Sequence, residues 1–237
     1  SESIQLDGSG GTYRTGLFTT VYKGANGNGG NIILTTGSVS LTDGARLSAS
    51  TYGKGDAGSV FVQAKDSVSA ADSAIFSNVE REAVGKGGDV NINAATLSLK
   101  DGAQLGTFVR EASSNVRAGQ GQAGNVNVNV TGAVTIAGKD RGYSGIFSTL
   151  GSGAIGKGGN INVTSGSFSL TDGAALSAST RGQGDAGKIQ INATHYVSVS
   201  GTSEITNPQA PTGLFVLSES SGAAGDIEVT APQIRLD

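Results

Sequence analysis

Cysteine is absent from the 237 residues, so neither a disulfide framework nor a thiolate metal site is available. Proline occurs three times, as Pro208, Pro211 and Pro232, all toward the C-terminus. Because proline removes a ladder donor, continuous sheets exclude it, and nothing before Pro208 interrupts a sheet on that account. The single histidine, His195, has no Asp or Glu beside it in sequence and reads as a structural strand residue. No Ala/Leu/Glu/Lys-rich stretch shows helical period. No apolar run approaches the roughly 18 residues that would span a bilayer, so stable membrane insertion is not expected. The net charge is −3 and no basic patch is visible, which excludes a non-specific nucleic-acid binder. No secretory signal is visible, and no cofactor or metal is expected.

Glycine is what the chain has in excess, 39 of 237 against an average of roughly 7%. Much of it lies in a stretch that occurs twice. Gly27 to Gly58 (GNGGNIILTTGSVSLTDGARLSASTYGKGDAG) and Gly156 to Gly187 (GKGGNINVTSGSFSLTDGAALSASTRGQGDAG) share 24 of 32 positions at an offset of 129. Inside each lie three short pieces of apolar alternation, such as Asn31–Leu34, Ser38–Leu41 and Ala45–Ala49. Period two reads as strand. Asp43-Gly44 and Gly53-Lys54-Gly55 supply residues for sharp corners of positive φ.

A Gly-polar-(Ile/Val)-x-(Ile/Val/Leu) opening recurs at Gly30, Gly58, Gly88, Gly124, Gly159, Gly187 and Gly225. Stacking these copies gives four inward columns nearly free of polar residues. They begin at Ile32, Leu34, Val39 and Leu41, and Val128 stands in the second of them. One repeat cannot bury its own apolar side, so the stack is the stable unit. The expected fold is therefore all-β, a right-handed parallel β-helix (β-solenoid) with three short strands per coil and about seven coils. Right-handedness follows from the rule for parallel crossovers. At a spacing of about 4.8 Å, seven coils make a rod of about 34 Å. The unbroken columns predict one domain over 1–237. Both ends match the second strand of a coil (Ser3–Asp7, Gln233–Asp237), which predicts a piece of a longer solenoid.

Length variation collects at Val79–Gly85, Phe108–Gln122, Lys139–Tyr143 and Thr206–Thr212, the expected loops and the first place to seek ligand contact. Removing Ser113 to Gly119 is expected to leave the fold intact. Three outward features are candidates for recognition. Polar columns run along two faces, Asn91, Asn127, Asn162 and Gln190 on one and Ser40, Ser69, Ser98, Thr135, Ser169 and Ser198 on the other. They suit either a ligand or a solvated strand face. Gly-(Leu/Ile)-Phe recurs around Phe18, Phe147 and Phe215, with Ala74-Ile75-Phe76 as a variant, and Ser48, Gly106 and Ser177 fill the row between. These rings either stack on a sugar or a partner protein, or lie under loops. Phe76 lacks a long preceding loop and is expected to be the most exposed. Arg81 and Arg110, each followed by Glu, are expected to form a patch with Arg117, or else exposed ion pairs. Tyr143 belongs to the loop that precedes Phe147.

The phrases GNGGNI, LTDGARLSAST, GKGDAGSV, SGIFSTL and ITNPQAP resemble the repeat region of filamentous haemagglutinin-like large exoproteins, in the texture of the cyanobacterial members. The resemblance runs from about Ile4 to Asp237. It implies a secreted or cell-surface adhesin of a Gram-negative bacterium. The full-length protein would be exported through the outer-membrane transporter of a two-partner secretion system and would bind host or neighbouring-cell glycan or protein. The family's Asn-Pro-Asn secretion motif is not matched; Asn207-Pro208-Gln209 is the nearest approach, so recognition by the transporter is not carried over. Parallel β-helices also carry polysaccharide lyases and hydrolases, whose chemistry needs clustered Asp, Lys, Arg or His on adjacent coils. Asp43, Asp101 and Asp172 sit in Asp-Gly turns, and Asp66 and Asp72 have no column partner, so no enzyme is expected. A purely structural spacer is the other alternative.

Overall fold

The computed structural model describes residues 2–10, 15–138, 143–201 and 211–237. Among these the chain is all β, with no helix, and every pairing between strands is parallel. Residues 139–142 and 206–210, within two of the expected loops, and Asn207-Pro208-Gln209 lie outside the described residues.

The inward columns pair as the repeats align. One ladder runs Ile32↔Val60↔Val90↔Val126↔Ile161↔Ile189↔Ile227. A second runs Ile4↔Val39↔Val68↔Leu97↔Val134↔Phe168↔Val197↔Ile234. A third sheet runs Leu17↔Leu47↔Ile75↔Leu105↔Ile146↔Leu176↔Leu214. Away from the two ends these residues are buried in one continuous aliphatic core, Val128 among them at 0% exposure. Alternation puts every second side chain of a strand inward, and stacking repeats is what takes the apolar half out of water.

The first two strands of a repeat are expected to be separate, and they are so in the middle of the chain and at its C-terminal end, where Ile227–Thr230 is distinct from Gln233–Leu236. Val90–Ala94 is distinct from Thr96–Lys100, and Val126–Val130 from Ala133–Ala137. Elsewhere they run on as single strands, Ile32–Thr42, Val60–Ala71, Ile161–Thr171 and Ile189–Ser200. At two of the bends a glycine without positive φ, Gly37 or Gly166, stands at a register shift, between Thr36 and Ser38 and again between Ser165 and Ser167. Because Val60–Ala71 and Ile161–Thr171 each pair with both halves of a split repeat, the hydrogen-bonded path closes into a ring of six strands.

A further row of parallel bridges, Asn26↔Lys54↔Val84↔Gln120↔Ile155↔Gln183, follows the third sheet. Between it and that sheet lies a second, small core of Val79, Ala83, Val109, Ala118, Ala123, Leu150 and Ala154. This corrects the expectation of free loops at Val79–Gly85 and Phe108–Gln122. Only the tip of the longer one, Ser113 to Val116, stands clear as a two-bond hairpin. Ala118 is buried, and Gly119 donates to the Arg110 carbonyl at 2.9 Å, so removing Ser113 to Gly119 would cut into packed structure.

The recurring glycines answer to close approach between repeats. A Cβ on Gly58, Gly88, Gly124, Gly159, Gly187 or Gly225 would sit 1.8–2.2 Å from the carbonyl oxygen of the preceding glycine in the column. The Asp-Gly corners behave as read: Asp43 and Gly44 both have positive φ (51° and 87°), as do Asp101-Gly102 and Asp172-Gly173. The polar residue after each column glycine also has a task. Asn31 Oδ1 accepts from the Ser59 N–H (2.8 Å), and Asp89 Oδ1 accepts from Asn125 (2.7 Å). Asn125 Oδ1 accepts from Asn160, and Asn160 Oδ1 from Lys188, both at 2.9 Å. This spine satisfies corner N–H groups that no strand partner reaches.

Candidate recognition face

The outer face of the third sheet gathers most of the candidate residues. Its rungs place Phe18↔Ser48↔Phe76↔Gly106↔Phe147↔Ser177↔Phe215 in one row along the stack. Leu47, Ile75, Leu105, Ile146 and Leu176, the neighbours in sequence, are fully buried, so the row faces out as expected.

Exposure along the row does not follow the expected order. Phe18 is 47% exposed, whereas Phe76 is buried at 7%. The cover for Phe76 comes from the next repeat. Phe108 meets it edge to face, with ring centroids 5.4 Å apart, and stacks on Phe147 at 6.1 Å and 30°. The Arg110 guanidinium lies 4.7 Å from the Phe108 centroid and 5.8 Å from that of Phe76. The apparent gap at Gly106 is thus filled from two residues along: a Cβ on Gly106 would lie 2.5 Å from the Phe108 ring. Sequence reasoning passed over Phe108 because strand phase assigned the row to Gly106. The signal was there in Gly106-Thr107-Phe108, which repeats the Gly-x-Phe spacing.

The Phe108–Arg110 wall divides the face into two grooves. The first, of about 360 Å³, is lined by Phe18, Ser48, Tyr52, Phe76, Arg81 and Arg110 among others. The second, of about 700 Å³, is lined by Phe108, Tyr143, Phe147, Ser177, Arg181 and Phe215 among others. They are copies of one arrangement. Phe18, Thr20 and Ser48 in the first correspond to Phe147, Thr149 and Ser177 in the second at the 129-residue offset, and Phe76 and Phe215 stand one rung beyond. Phe147 and Phe215 are half-buried. Their rings lie back over Gly145 and Gly213, where a Cβ would be 2.7 and 2.9 Å from ring atoms. Glycine two residues before each Phe therefore lets the ring lie flat on the sheet.

The charged groups here pair with one another. Arg81 bonds Glu111 at 2.5 Å and also donates to its carbonyl at 2.9 Å. Arg110 faces Glu80 at 3.6 Å, and Arg181 faces Glu219 at 3.2 Å. The exposed pairs, Arg81–Glu111 and Arg181–Glu219, contribute under about 1 kcal/mol each, and Arg110 and Glu80 are half-buried. Arg117 is exposed and lines neither groove; its carbonyl accepts from the N–H of Glu82, the residue after Arg81, at 3.1 Å. Tyr143 is 43% exposed at the rim of the second groove, and its carbonyl accepts from Gln104 Nε2 at 3.2 Å. No repeat or motif in the sequence singles out Arg181 and Glu219.

The amide column is self-satisfied. Asn127 Nδ2 donates to Asn91 Oδ1 at 2.9 Å, and Asn162 Nδ2 to Asn127 Oδ1 at 2.8 Å. His195 Nδ1 lies 3.0 Å from the Gly166 carbonyl and 3.2 Å from Thr194 Oγ1, within the backbone network. Among the described residues no group of three or more His, Cys, Asp or Glu is placed to hold a metal ion.

The class these observations define is an all-β chain of stacked parallel repeats with an aromatic-lined outer face. Comparison with family models, with curated proteins and with solved structures finds no match.

Proposed function

We propose that this chain is a rigid display segment of a secreted, cell-surface adhesin of the filamentous haemagglutinin-like kind, which presents the third-sheet face to a binding partner. In this reading the repeats wind as a right-handed parallel β-helix of about seven coils, part of a longer solenoid. Parallel pairing at steps of 28 to 38 residues supports the winding, and the crossover rule supports the hand. The single observation that carries the display reading is the aromatic row with its two grooves, set on a ladder that runs unbroken from Phe18 to Phe215. A parallel stack changes shape little on binding, so it holds such a face at a fixed distance from its anchor. Export of the full-length protein through a two-partner outer-membrane transporter completes the reading, on the resemblance of the repeat phrases.

The test is adhesion. Beads coated with the 237-residue chain should stick to bacterial or host cells and lose that adhesion when Phe147 and Phe215 are both replaced by Ala. Beads that bind nothing would favour a spacer. Turnover of a polysaccharide by the chain would favour a lyase or hydrolase. Either result overturns the display reading.

A further inference from the structure

We infer that the second groove binds a neutral, extended, linear polysaccharide whose chain lies along the stacking direction. The inference rests on the display reading and gives it a ligand class. Phe147 and Phe215 stand two rungs apart with Ser177 between them, a stride of about 9.6 Å. That stride is commensurate with the two-unit repeat of an extended β-1,4-linked glycan. Each ring lies back over a glycine and is half-buried, Phe147 with Phe108 beside it at 6.1 Å, and the ring surface left exposed would meet the C–H face of a sugar. Between the rings the floor is hydroxylic: Ser177 Oγ and Ser179 Oγ lie 2.8 Å apart.

Charge decides against a polyanion. The two arginines that line the groove, Arg181 and Arg110, face Glu219 at 3.2 Å and Glu80 at 3.6 Å, and Glu111 lines it as well, so a negative chain would meet a carboxylate beside each cation. A peptide strand docks on a free backbone edge; the strands that carry Phe147 and Ser177 offer none, because each is hydrogen-bonded on both sides, and the sheet's free edge lies beyond the Phe215 strand. The duplicated arrangement agrees with a repetitive ligand. In the first groove the Phe76 ring is covered by Phe108 and Arg110 and only Phe18 is open, whereas the second is the larger of the two, about 700 against about 360 Å³, with both its rings half-buried.

Isothermal titration of the 237-residue chain with cellohexaose and chitohexaose, against maltohexaose and a heparin hexasaccharide, tests this. The expected result is saturable binding of at least one β-1,4 hexasaccharide, with heparin and the curved maltohexaose bound more weakly. Phe215→Ala should weaken that binding about tenfold or more. Ser177→Trp fills the slot between the rings without removing any core atom, and should abolish binding even if Phe215→Ala proves unstable. No binding of either β-1,4 hexasaccharide, preferential binding of heparin, or full affinity in Ser177→Trp would overturn the inference. If coated beads still adhere to cells while the β-1,4 hexasaccharides do not bind, the display reading stands and the glycan assignment falls. If hexasaccharides bind but beads do not adhere, the reverse holds.

Discussion

Phe108 covers Phe76 edge to face at 5.4 Å, although the two belong to successive repeats and Phe108 stands two residues past the rung that pairs with Phe76. The row is therefore covered at Phe76 and open at Phe18. Truncating Phe76 to Ala should cost about 3 kcal/mol or more, because the ring leaves a cavity under Phe108 and Arg110. Truncating Phe18, at 47% exposure, should cost well under about 1 kcal/mol. Denaturant midpoints of the two variants, measured side by side, check the ordering. Equal losses would show that Phe18 is covered in solution.

The register was legible because period-two alternation and the recurring glycines each fix it independently. The rungs from Ile32 to Ile227 and from Val39 to Ile234 pair as the columns align them. What was not legible lies where side chains cross between repeats. Phe108 fills the space over Gly106 because glycine left it empty, and no count along one strand reveals that. The second core was hidden for a similar reason. Val79, Ala83, Val109, Ala118 and Leu150 are scattered singly through loop-like sequence and meet only when repeats stack. Ion pairing was half legible: the tandem Arg-Glu pairs flagged the edge, but the partner choice, Arg81 with Glu111 and Arg110 with Glu80, depends on which repeat lies above.

The glycine column gives a paired experiment in nearly identical sequence. A Cβ at Gly159 would lie 2.0 Å from the Gly124 carbonyl oxygen, whereas at Gly30 the nearest atom is Thr19 Cγ2 at 3.9 Å. Gly159→Ala must push two backbones apart and should cost more than about 3 kcal/mol. Gly30→Ala should be within about 0.5 kcal/mol of neutral. A mild effect at Gly159 would mean that the repeats are less tightly apposed than these distances show.

Val128 is fully buried in the middle of the main core. Val128→Asp places an unpaired carboxylate there and should cost several kcal/mol. Circular dichroism melting within a degree or two of the parent would refute the register of that column.

The long excursion after Phe108 divides into a free tip and a packed return. Ser113 and Val116 bond only each other there, by reciprocal backbone bonds of 2.9 and 3.1 Å. Joining Ala112 to Arg117 through a Gly-Gly link should leave stability nearly unchanged, since loop closure varies slowly with length. Extending the deletion through Gly119 removes Ala118 from the second core and the Arg117 carbonyl from the Glu82 N–H (3.1 Å). That variant should lose about 2 kcal/mol or more. Limited proteolysis distinguishes the two: only the longer deletion should open the Val79–Ala83 segment to cleavage.

Ser165 occupies an inward position next to the bend between the first two ladders, paired with Ala193 across the rung. The equivalent inward residues Ala64, Ala94, Val130 and Ala193 are buried and apolar; the other hydroxyl in the column, Thr36, is half-buried. Ser165 is 2% exposed, and its Oγ has no hydrogen-bond partner among the described residues. A hydroxyl taken from water without a partner costs about 1–3 kcal/mol. Ser165→Ala removes that penalty and leaves a methyl group of the kind its column already accommodates. The expected gain is about 1 kcal/mol, or an increase in melting temperature of about 2–4 °C for a chain of this length. The denaturant slope should not change, because the surface exposed on unfolding is the same. A loss of stability instead would mean that the hydroxyl is satisfied in solution, and the bend near Ser165 would then be a polar site rather than a packing defect.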